Sequence, residues 1–289
     1  MKYRSYISRI FDILRNPRQL AIVILNKTSI LWSDDLFLKI KFQLMMGEKL
    51  DLKDPKTFNQ KLQWLKLYNR KPEYTIMVDK YAVKNYVASK IGEEYIIPTL
   101  GVWDTPDEIK WDNLPNQFVL KTTHGGGGCG VVICKDKSSF DVVSAKEILN
   151  RSLNSDIYLH YREWPYKNVR KRIIAEKYMT DAGNELEDYK VHNFNGVPKV
   201  ILVCRERFKD SPMIDDFYSD NWDLLDMRRP GHPNSPEPID SPKKLEEMLR
   251  LSRELSKDIP FLRTDFYVIE NRIYFGELTF YQAAGMTPF

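Results

Sequence analysis

The residues best placed by type and spacing to do chemistry are Arg263, Asp265, Glu277 and Thr279. They fall in two runs, Phe261–Ile269 and Ile273–Phe280, separated by Glu270-Asn271-Arg272. Alternating runs around a short polar break read as a β-hairpin. With Asn271 at the centre of the turn, Asp265 faces Glu277 and Arg263 faces Thr279. The period of two puts all four on one face and Phe266, Val268, Leu278 and Phe280 on the other. Opposed carboxylates repel across strands, so the pair calls for a cation. The face suits a divalent metal beside an arginine. Neutralisation by Arg263 alone is the plainer alternative.

A second chemical signal lies upstream. Five glycines fall within positions 125–130, after Phe118-Val-Leu-Lys121-Thr-Thr-His124 and before Val131-Val-Ile-Cys134. Gly125, Gly127 and Gly130 fit G-x-G-x-x-G, but the following segment is β-prone and the Lys-Ser/Thr of a P-loop is missing. The pattern is strand, glycine loop, strand: a flap whose N–H groups can close over phosphates. A protein kinase flap is similar, yet no H-R-D or D-F-G follows. A plain hairpin turn needs only one or two glycines, and five carry a large entropic cost. Lys121, in an apolar strand, needs a partner if buried, and a phosphate would serve.

These residues need elements to hold them. Residues 31–72 read as helical, through Phe37, Ile40, Phe42 and Leu44, then Phe58, Leu62, Trp64, Leu65 and Leu67. Residues 79–91 read as a helix with Asp79 as N-cap and Gly92 as stop. Strands are expected at 96–98, 117–122, 131–134 and 173–178, and helices at 142–153 and 156–162. Residues 188–193 and 197–205 form a hairpin around Asn195-Gly196. The stretch 210–241 is proline-rich and aperiodic and reads as a long loop, a lid or binding element. Ser241-Pro242 then opens a helix with Leu245, Met248, Leu249 and Leu255 as its buried stripe. Antiparallel hairpins with interspersed helices make an α+β chain, not a doubly wound sheet.

Bulk composition narrows the classes. With 289 residues, 43% of them hydrophobic, the chain can bury one large core or two smaller ones. Cys129, Cys134 and Cys204 show no paired spacing, and no cleavable leader is evident, so a reducing cytoplasm is expected. Of the formal net charge of +4, residues 1–30 contribute +5 and leave −1 elsewhere. That gives no global support for nucleic-acid binding. The basic segment carries Ile7, Ile10, Phe11 and Leu14 at helical spacing, then an apolar run from Leu20 to Leu25. It is too short to span a bilayer. Residues 1–25 are a candidate peripheral contact at the inner face of the plasma membrane. The alternative is a helix packed on the domain with a solvated basic face.

In order, the pieces resemble the ATP-grasp superfamily, and more closely the TupA-like ATP-grasp family of bacterial capsule and cell-wall polysaccharide gene clusters. The resemblance rests on Asp79-Lys80-Tyr-Ala-Val, Phe118-Val-Leu-Lys121 with His124 and the flap, and Ala175-Glu176-Lys177-Tyr-Met179. It continues through Asp188-Tyr-Lys190-Val, Arg263-Thr-Asp265-Phe and Gly276-Glu277-Leu-Thr279-Phe. It implies two α+β subdomains gripping ATP behind a helical N-terminal extension. The implied boundaries are 1–72 for the extension and 73–289 for the ATP-grasp domain. The latter divides into a pre-grasp segment (73–116), a glycine-flap subdomain (117–178) and a Mg-binding subdomain (179–289) with loop 210–241.

The resemblance also implies roles. Lys80, Lys121 and the flap (Gly125, Gly126, Gly127, Gly128) would contact the ATP phosphates. Glu176 would take the adenine amino group, with Lys177 and Met179 at the hinge. Asp188 would contact ribose, with Lys190 beside it on the strand face; a simple Asp188–Lys190 ion pair is the alternative. Asp265, Glu277 and Thr279 would hold Mg²⁺, and Arg263 would support the transferred phosphoryl group or the tetrahedral intermediate. Thr279 departs from the asparagine many relatives carry there. The tail is shorter than in many relatives, which carry a further helix there, so an acceptor site either incomplete or built differently is expected.

The implied activity is an ATP- and Mg²⁺-dependent carboxylate–amine ligase. Its small-molecule partners would be an amine and a carboxylate, such as a lipid- or nucleotide-linked uronic acid of a cell-surface polysaccharide. Arg205, Arg207 and residues 210–241 are candidates for gripping an anionic acceptor. Two other classes stay open on the residues alone. One is a metal-dependent glycosyltransferase, although no D-x-D motif stands in a strand-end context. The other is a nucleotide-binding scaffold without catalysis.

Overall fold

The structure, a computed structural model, describes residues 15–180, 186–205 and 213–288. In chain order its helices are α1 (Pro17–Lys27), α2 (Asp34–Met46), α3 (Phe58–Tyr68), α4 (Glu73–Val78), α5 (Ala82–Ile91), α6 (Val142–Leu153), α7 (Ile157–Tyr161) and α8 (Leu245–Ser256). The strands are β1 (Thr99–Trp103), β2 (Phe118–Thr122), β3 (Val131–Cys134), β4 (Ile173–Lys177), β5 (Asp188–Phe194), β6 (Val197–Arg205), β7 (Ile214–Ser219), β8 (Phe261–Ile269) and β9 (Arg272–Thr279). Contacts divide the chain into two compact units. One takes the described part of Met1–Arg70 with Asp156–Lys167 and Ala283–Pro288, and the other takes Lys71–Ser155 and Asn168–Gln282.

The smaller unit is helical. The continuous pattern expected over 31–72 breaks into α2 and α3. Gly47, at φ 81°, ends α2, and a capping box of Thr57 and Gln60 opens α3. Leu38, Phe42, Leu50 and Met286 form its core. Arg162 is buried beside it, ion-paired with Asp34 at 3.0 Å and stacked 4.1 Å from the Phe37 ring. Most of the candidate membrane segment, residues 1–14, lies outside the described residues. None of the described helices is long and apolar enough to cross a membrane.

The larger unit holds two antiparallel sheets, ordered β1-β4-β2-β3 and β7-β6-β5-β8-β9. In the first, Phe118, Leu120, Ile173 and Ala175 pack with Ala145 and Leu149 of α6. Period-two alternation therefore turns Lys121 and Glu176 to the opposite face. In the second, α8 packs on β5, β6 and β8. The back face carries Leu262, Thr264, Phe266 and Leu278, all buried, and leaves the alternate residues for the site.

Three elements differ from the sequence expectation. The first strand begins at Thr99, not at 96–98. Pro98 has no N–H for the ladder, and it contributes only its carbonyl, to Lys177 N at 3.0 Å. Helix α8 begins at Leu245; Ser241-Pro242 lead only into a turn, with Leu245 N donating to Pro242 O at 3.0 Å. The supposed loop 210–241 contains the edge strand β7. Its Asp215-Asp216 pair reads as solvent-exposed, yet both are buried, ion-paired with Arg229 and Arg205 at 2.9 and 2.8 Å.

The final hairpin keeps the expected pairing by a different route. Its turn is Glu270-Asn271, both at positive φ (48° and 63°), as a two-residue hairpin turn of the primed type requires. A turn so placed pairs Phe266 with Phe275, while Asp265 pairs with Glu277, so Gly276 is an extra residue. A Cβ there would meet Asp265 O at 3.1 Å.

Helix α8 is also fixed by a buried polar triad. Ser252 Oγ donates to Asn193 Oδ1 at 2.8 Å and lies 2.6 Å from Thr264 Oγ1, while Asn193 Nδ2 donates to Leu262 O at 2.9 Å. All three residues are fully buried. Ser252→Ala leaves Asn193 without that donor. Stability in urea should fall by about 1–3 kcal/mol with the fold retained, whereas an unchanged midpoint would show the triad to be inert.

Candidate active site

On the first sheet the site grows from one carboxylate. Glu176 Oε2 accepts from Lys121 Nζ at 2.6 Å, and Oε1 pairs with Lys84 Nζ at 2.5 Å. Lys84 also donates to Ile97 O at 2.6 Å. Burial alone would raise the Glu176 pKa, but Lys121 and Lys84 outweigh it and hold the carboxyl at about 2. Burial likewise opposes the charge on Lys121, yet Glu176 wins and its pKa stands above the ordinary lysine value. For Lys84 burial wins and its pKa is lowered. Both Glu176 oxygens are thus engaged by lysine. Lys177 is exposed at the end of β4, and Met179 follows, half-buried.

The flap joins β2 to β3. Gly125 and Gly130 are its fixed ends: a Cβ would meet Thr122 Oγ1 at 2.5 Å on the first and Ser152 Oγ at 2.2 Å on the second. Gly127 and Gly128, at φ 60° and 79°, have open space around them. Among the described residues the N–H groups of Gly126, Gly127 and Gly128 donate no hydrogen bond. They are available to an anion. His124, buried, anchors the flap base through Nε2 to Ser152 O at 3.0 Å. Lys80 reaches the flap from the start of α5. Its Nζ donates to Gly125 O and its backbone N–H to Thr123 O at 2.9 Å. Asp79 holds that corner, accepting from Tyr81 N and Ala82 N (2.9 and 3.1 Å) and pairing with Arg172 at 2.9 Å.

On the second sheet three strands share one charged row. Lys190 on β5 pairs in register with Asp265 on β8, and Asp265 with Glu277 on β9. Asp265 accepts from Arg263 Nε at 2.6 Å, Arg263 Nη2 at 2.7 Å and Lys190 Nζ at 2.7 Å. Lys190 also bonds Asp188 at 2.6 Å, and Arg263 reaches Glu277 at 2.8 Å and Gln282. The acidic pair is therefore neutralised by two cations, one more than the plainer alternative supposed. Burial opposes the charges on Lys190 and Arg263, but Asp265 leads the carboxylates that raise both. His192, in register with Arg263, donates from Nδ1 to backbone carbonyls at 3.1 and 3.3 Å. Burial first, and Arg263 second, depress its pKa to about 3.

The two sheets converge here. Glu277 of the second sheet and Lys121 of the first both act on Lys80, and Tyr267 and Glu277 act on Lys121. Burial lowers the Lys80 pKa, and Glu277 only partly offsets it. The expected metal set is an all-oxygen donor set, which suits Mg²⁺. Asp265 is closed in, with a side-chain exposure of 2%, whereas Glu277 is open at 42%, with Thr279 Oγ1 3.4 Å from its Oε1. Among the described residues no three His, Cys, Asp or Glu side chains cluster for a metal. Both Asp265 oxygens accept from Arg263 and one also from Lys190, so Glu277 and Thr279 offer the more open oxygens of the set.

Sequence reasoning missed Lys84, Gln282 and His192. Lys84 had a signal: it lies four residues after Lys80, beside Val83 and Val87 on the buried helix stripe. Gln282 and His192 gave none, because only the fold brings them beside Arg263.

Two antiparallel sheets, a glycine flap beside lysines and an acidic pair opposite match the arrangement expected of the ATP-grasp class. The sequence matches the TupA-like ATPgrasp family over residues 60–289, and the chain belongs to that family. A comparison with curated protein sequences finds no match. Among solved structures, the D-alanine–D-alanine ligase of Bacillus anthracis complexed with ATP is similar at 18% identity and TM-score 0.41, covering 71% of this chain and 53% of that one. The D-alanine–D-alanine ligase of Helicobacter pylori gives 18% and 0.39, covering 78% and 63%. The carboxyaminoimidazole ribonucleotide synthase of Aspergillus clavatus complexed with ATP gives 14% and 0.42, covering 71% and 45%. The chain thus spans less than two thirds of each of these relatives.

Two measurements check the electrostatics. Glu176→Gln removes the shared counter-charge of two lysines and should cost about 3–5 kcal/mol in urea unfolding at pH 7. A loss below about 1 kcal/mol would mean the lysines are solvated. His192 contributes stability that is complete above its ordinary value of 6.5 and is lost as pH falls toward 3. The wild type should therefore lose up to about 2 kcal/mol more than His192→Gln between pH 7 and pH 5.

Proposed function

We propose that the chain is an ATP- and Mg²⁺-dependent ligase that joins a carboxylate to an amine through an acylphosphate. The observation that carries this reading is the meeting of Lys80 and Lys121 with Glu277: phosphate-seeking cations stand against the acidic pair. Family membership supports the same class.

In this reading the adenine lies along the end of β4, near Glu176, Lys177 and Met179, and Asp188 contacts the ribose. Lys80, Lys121 and the free N–H groups of the flap hold the phosphates and stabilise charge as it moves. Bound at Asp265, Glu277 and Thr279, Mg²⁺ would supply charge neutralisation at the β- and γ-phosphates. A substrate carboxylate oxygen attacks the γ-phosphorus, the bond to ADP breaks, and an acylphosphate results. Arg263, fixed by Asp265 and Gln282, faces the transferred group. The amine nitrogen then attacks the acyl carbon, phosphate leaves, and the nitrogen loses a proton. A closed flap keeps water from the acylphosphate.

The substrate reading is finer. We take the carboxylate to be a uronic acid of a bacterial capsular or cell-surface polysaccharide and the amine to be an amino acid. The work would be done in the cytoplasm, with residues 1–25 as a peripheral contact at the membrane. These follow from the family's setting. A glycosyltransferase reading has no observation in its favour.

The test is ADP release from ATP and Mg²⁺ with uronic acids and an amine panel. Turnover should need both substrates and stop on chelation of the metal. Glu277→Gln should lower kcat by about 100-fold or more while the unfolding midpoint stays near wild type. Binding of a UDP-sugar but not ATP in thermal-shift titrations would overturn the reading.

A further inference from the structure

Residues 227–235 lie outside the set assigned to the nucleotide, yet they gather charge. Pro230 and Gly231 (φ 81°) make a tight turn that pairs Arg229 with His232. The turn is pinned to edge strand β7. Asp215 N donates to Pro233 O at 3.0 Å, Asn234 Nδ2 to Asp215 O at 2.8 Å and Ser235 N to Asp216 Oδ1 at 2.8 Å. Fully buried Asp215 lies 2.9 Å from Arg229 Nη1 and 3.5 Å from His232 Nδ1, and Arg229 Nη2 is 3.1 Å from His232 Nε2. One arginine is thus fixed by a buried counter-charge. The other is not: among the described residues the guanidinium of Arg228, which is exposed, has no ion pair or hydrogen bond. Arg228, Arg229, His232, Asn234 and Ser235 line a cavity of about 630 Å³ with no carboxylate in its wall among the described residues. That is the size of a small-molecule site.

The turn that lines the cavity is tied to the charged face of the second sheet through Asp215. Asp188, Cys204 and Asp215 stand opposite one another across β5, β6 and β7, so they share the face of Lys190 and Asp265. Burial raises the Cys204 thiol pKa, and Lys190, Asp215 and Asp188 all act on it. At the usual strand spacing Asp215 lies about 10 Å from Asp188 and about 15 Å from Asp265.

We propose that the Arg228–His232 turn is a second anion subsite that holds a carboxylate or phosphate of the acceptor, remote from the carboxylate that reacts. The meaning of the subsite rests on the ligase reading, since the span is too long for the reacting group itself. The acceptor is then charged at two places: either as a run of uronic acids or as a uronic acid carried on a diphosphate. Arg228 supplies the free charge, Arg229 a guanidinium already oriented by Asp215, and His232 its brace.

The test uses full-length protein and Arg228→Glu, a surface change that leaves the Arg229–Asp215 pair intact. Trigalacturonate, UDP-glucuronate and neutral maltotriose are titrated calorimetrically, with and without saturating Mg²⁺ and a non-hydrolysable ATP analogue. At least one anionic probe should bind wild type, and Arg228→Glu should weaken it by about tenfold or more with analogue affinity unchanged. Sensitivity of trigalacturonate alone identifies the carboxylate source, and of UDP-glucuronate alone the diphosphate. Equal binding by wild type and Arg228→Glu, or no binding of either anion to wild type, overturns the subsite. A wild type that binds anions but not the analogue refutes the ligase reading and leaves the subsite standing.

Discussion

Everything on the site face of the second sheet depends on how Asp265 is neutralised. A carboxylate with 2% exposure cannot stay ionised alone. Arg263 grips both of its oxygens from two residues away on the same strand, and Lys190 reaches one of them from the neighbouring strand. Those bonds tie β5 to β8, and the Arg263 Nη2 that donates to Asp265 also donates to Glu277. The open carboxylate is thereby held in place without being buried. The reverse face answers with apolar packing and the Ser252 triad, so helix and charges are braced by opposite sides of the same strands.

The first sheet repeats the device with the same signs. There a single buried carboxylate, Glu176, holds two lysines. Asp79 fixes the corner from which Lys80 reaches the flap. Around the convergence stand five cations (Lys80, Lys84, Lys121, Lys190 and Arg263) and four anions (Glu176, Asp188, Asp265 and Glu277). The surplus is one positive charge, and the cations that lack a dedicated carboxylate lie on the flap side. In the proposed reading those donors would take a polyphosphate, and Glu277 opposite would take the metal.

Much of this was legible in the chain. The pairing of Asp265 with Glu277 and of Arg263 with Thr279 follows from a turn centred at Asn271, although the chain reaches it through a Glu270-Asn271 turn and the extra residue Gly276, and the strand–flap–strand reading of 118–134 follows from glycine density before a β-prone run. What was hidden shares one cause: buried charge looks like exposed charge in a sequence. Strand β7 lay hidden in the stretch read as a loop, and Lys84 was not singled out, because partners such as Arg229 and Glu176 are brought to their charged residues only by the fold. Pro98 moved β1 by three residues for a local reason, its missing N–H. Gln282 and His192 acquire meaning only beside Arg263.

Gly276 has a consequence for how such a site can change over generations. The extra residue absorbs the difference between a two-residue turn and the alternation that the carboxylates require. Loss or gain of one residue at the tip can be compensated at this point without turning Glu277 to the wrong side of the sheet. The hairpin is free to drift in length and sequence at its end while selection acts only on its base.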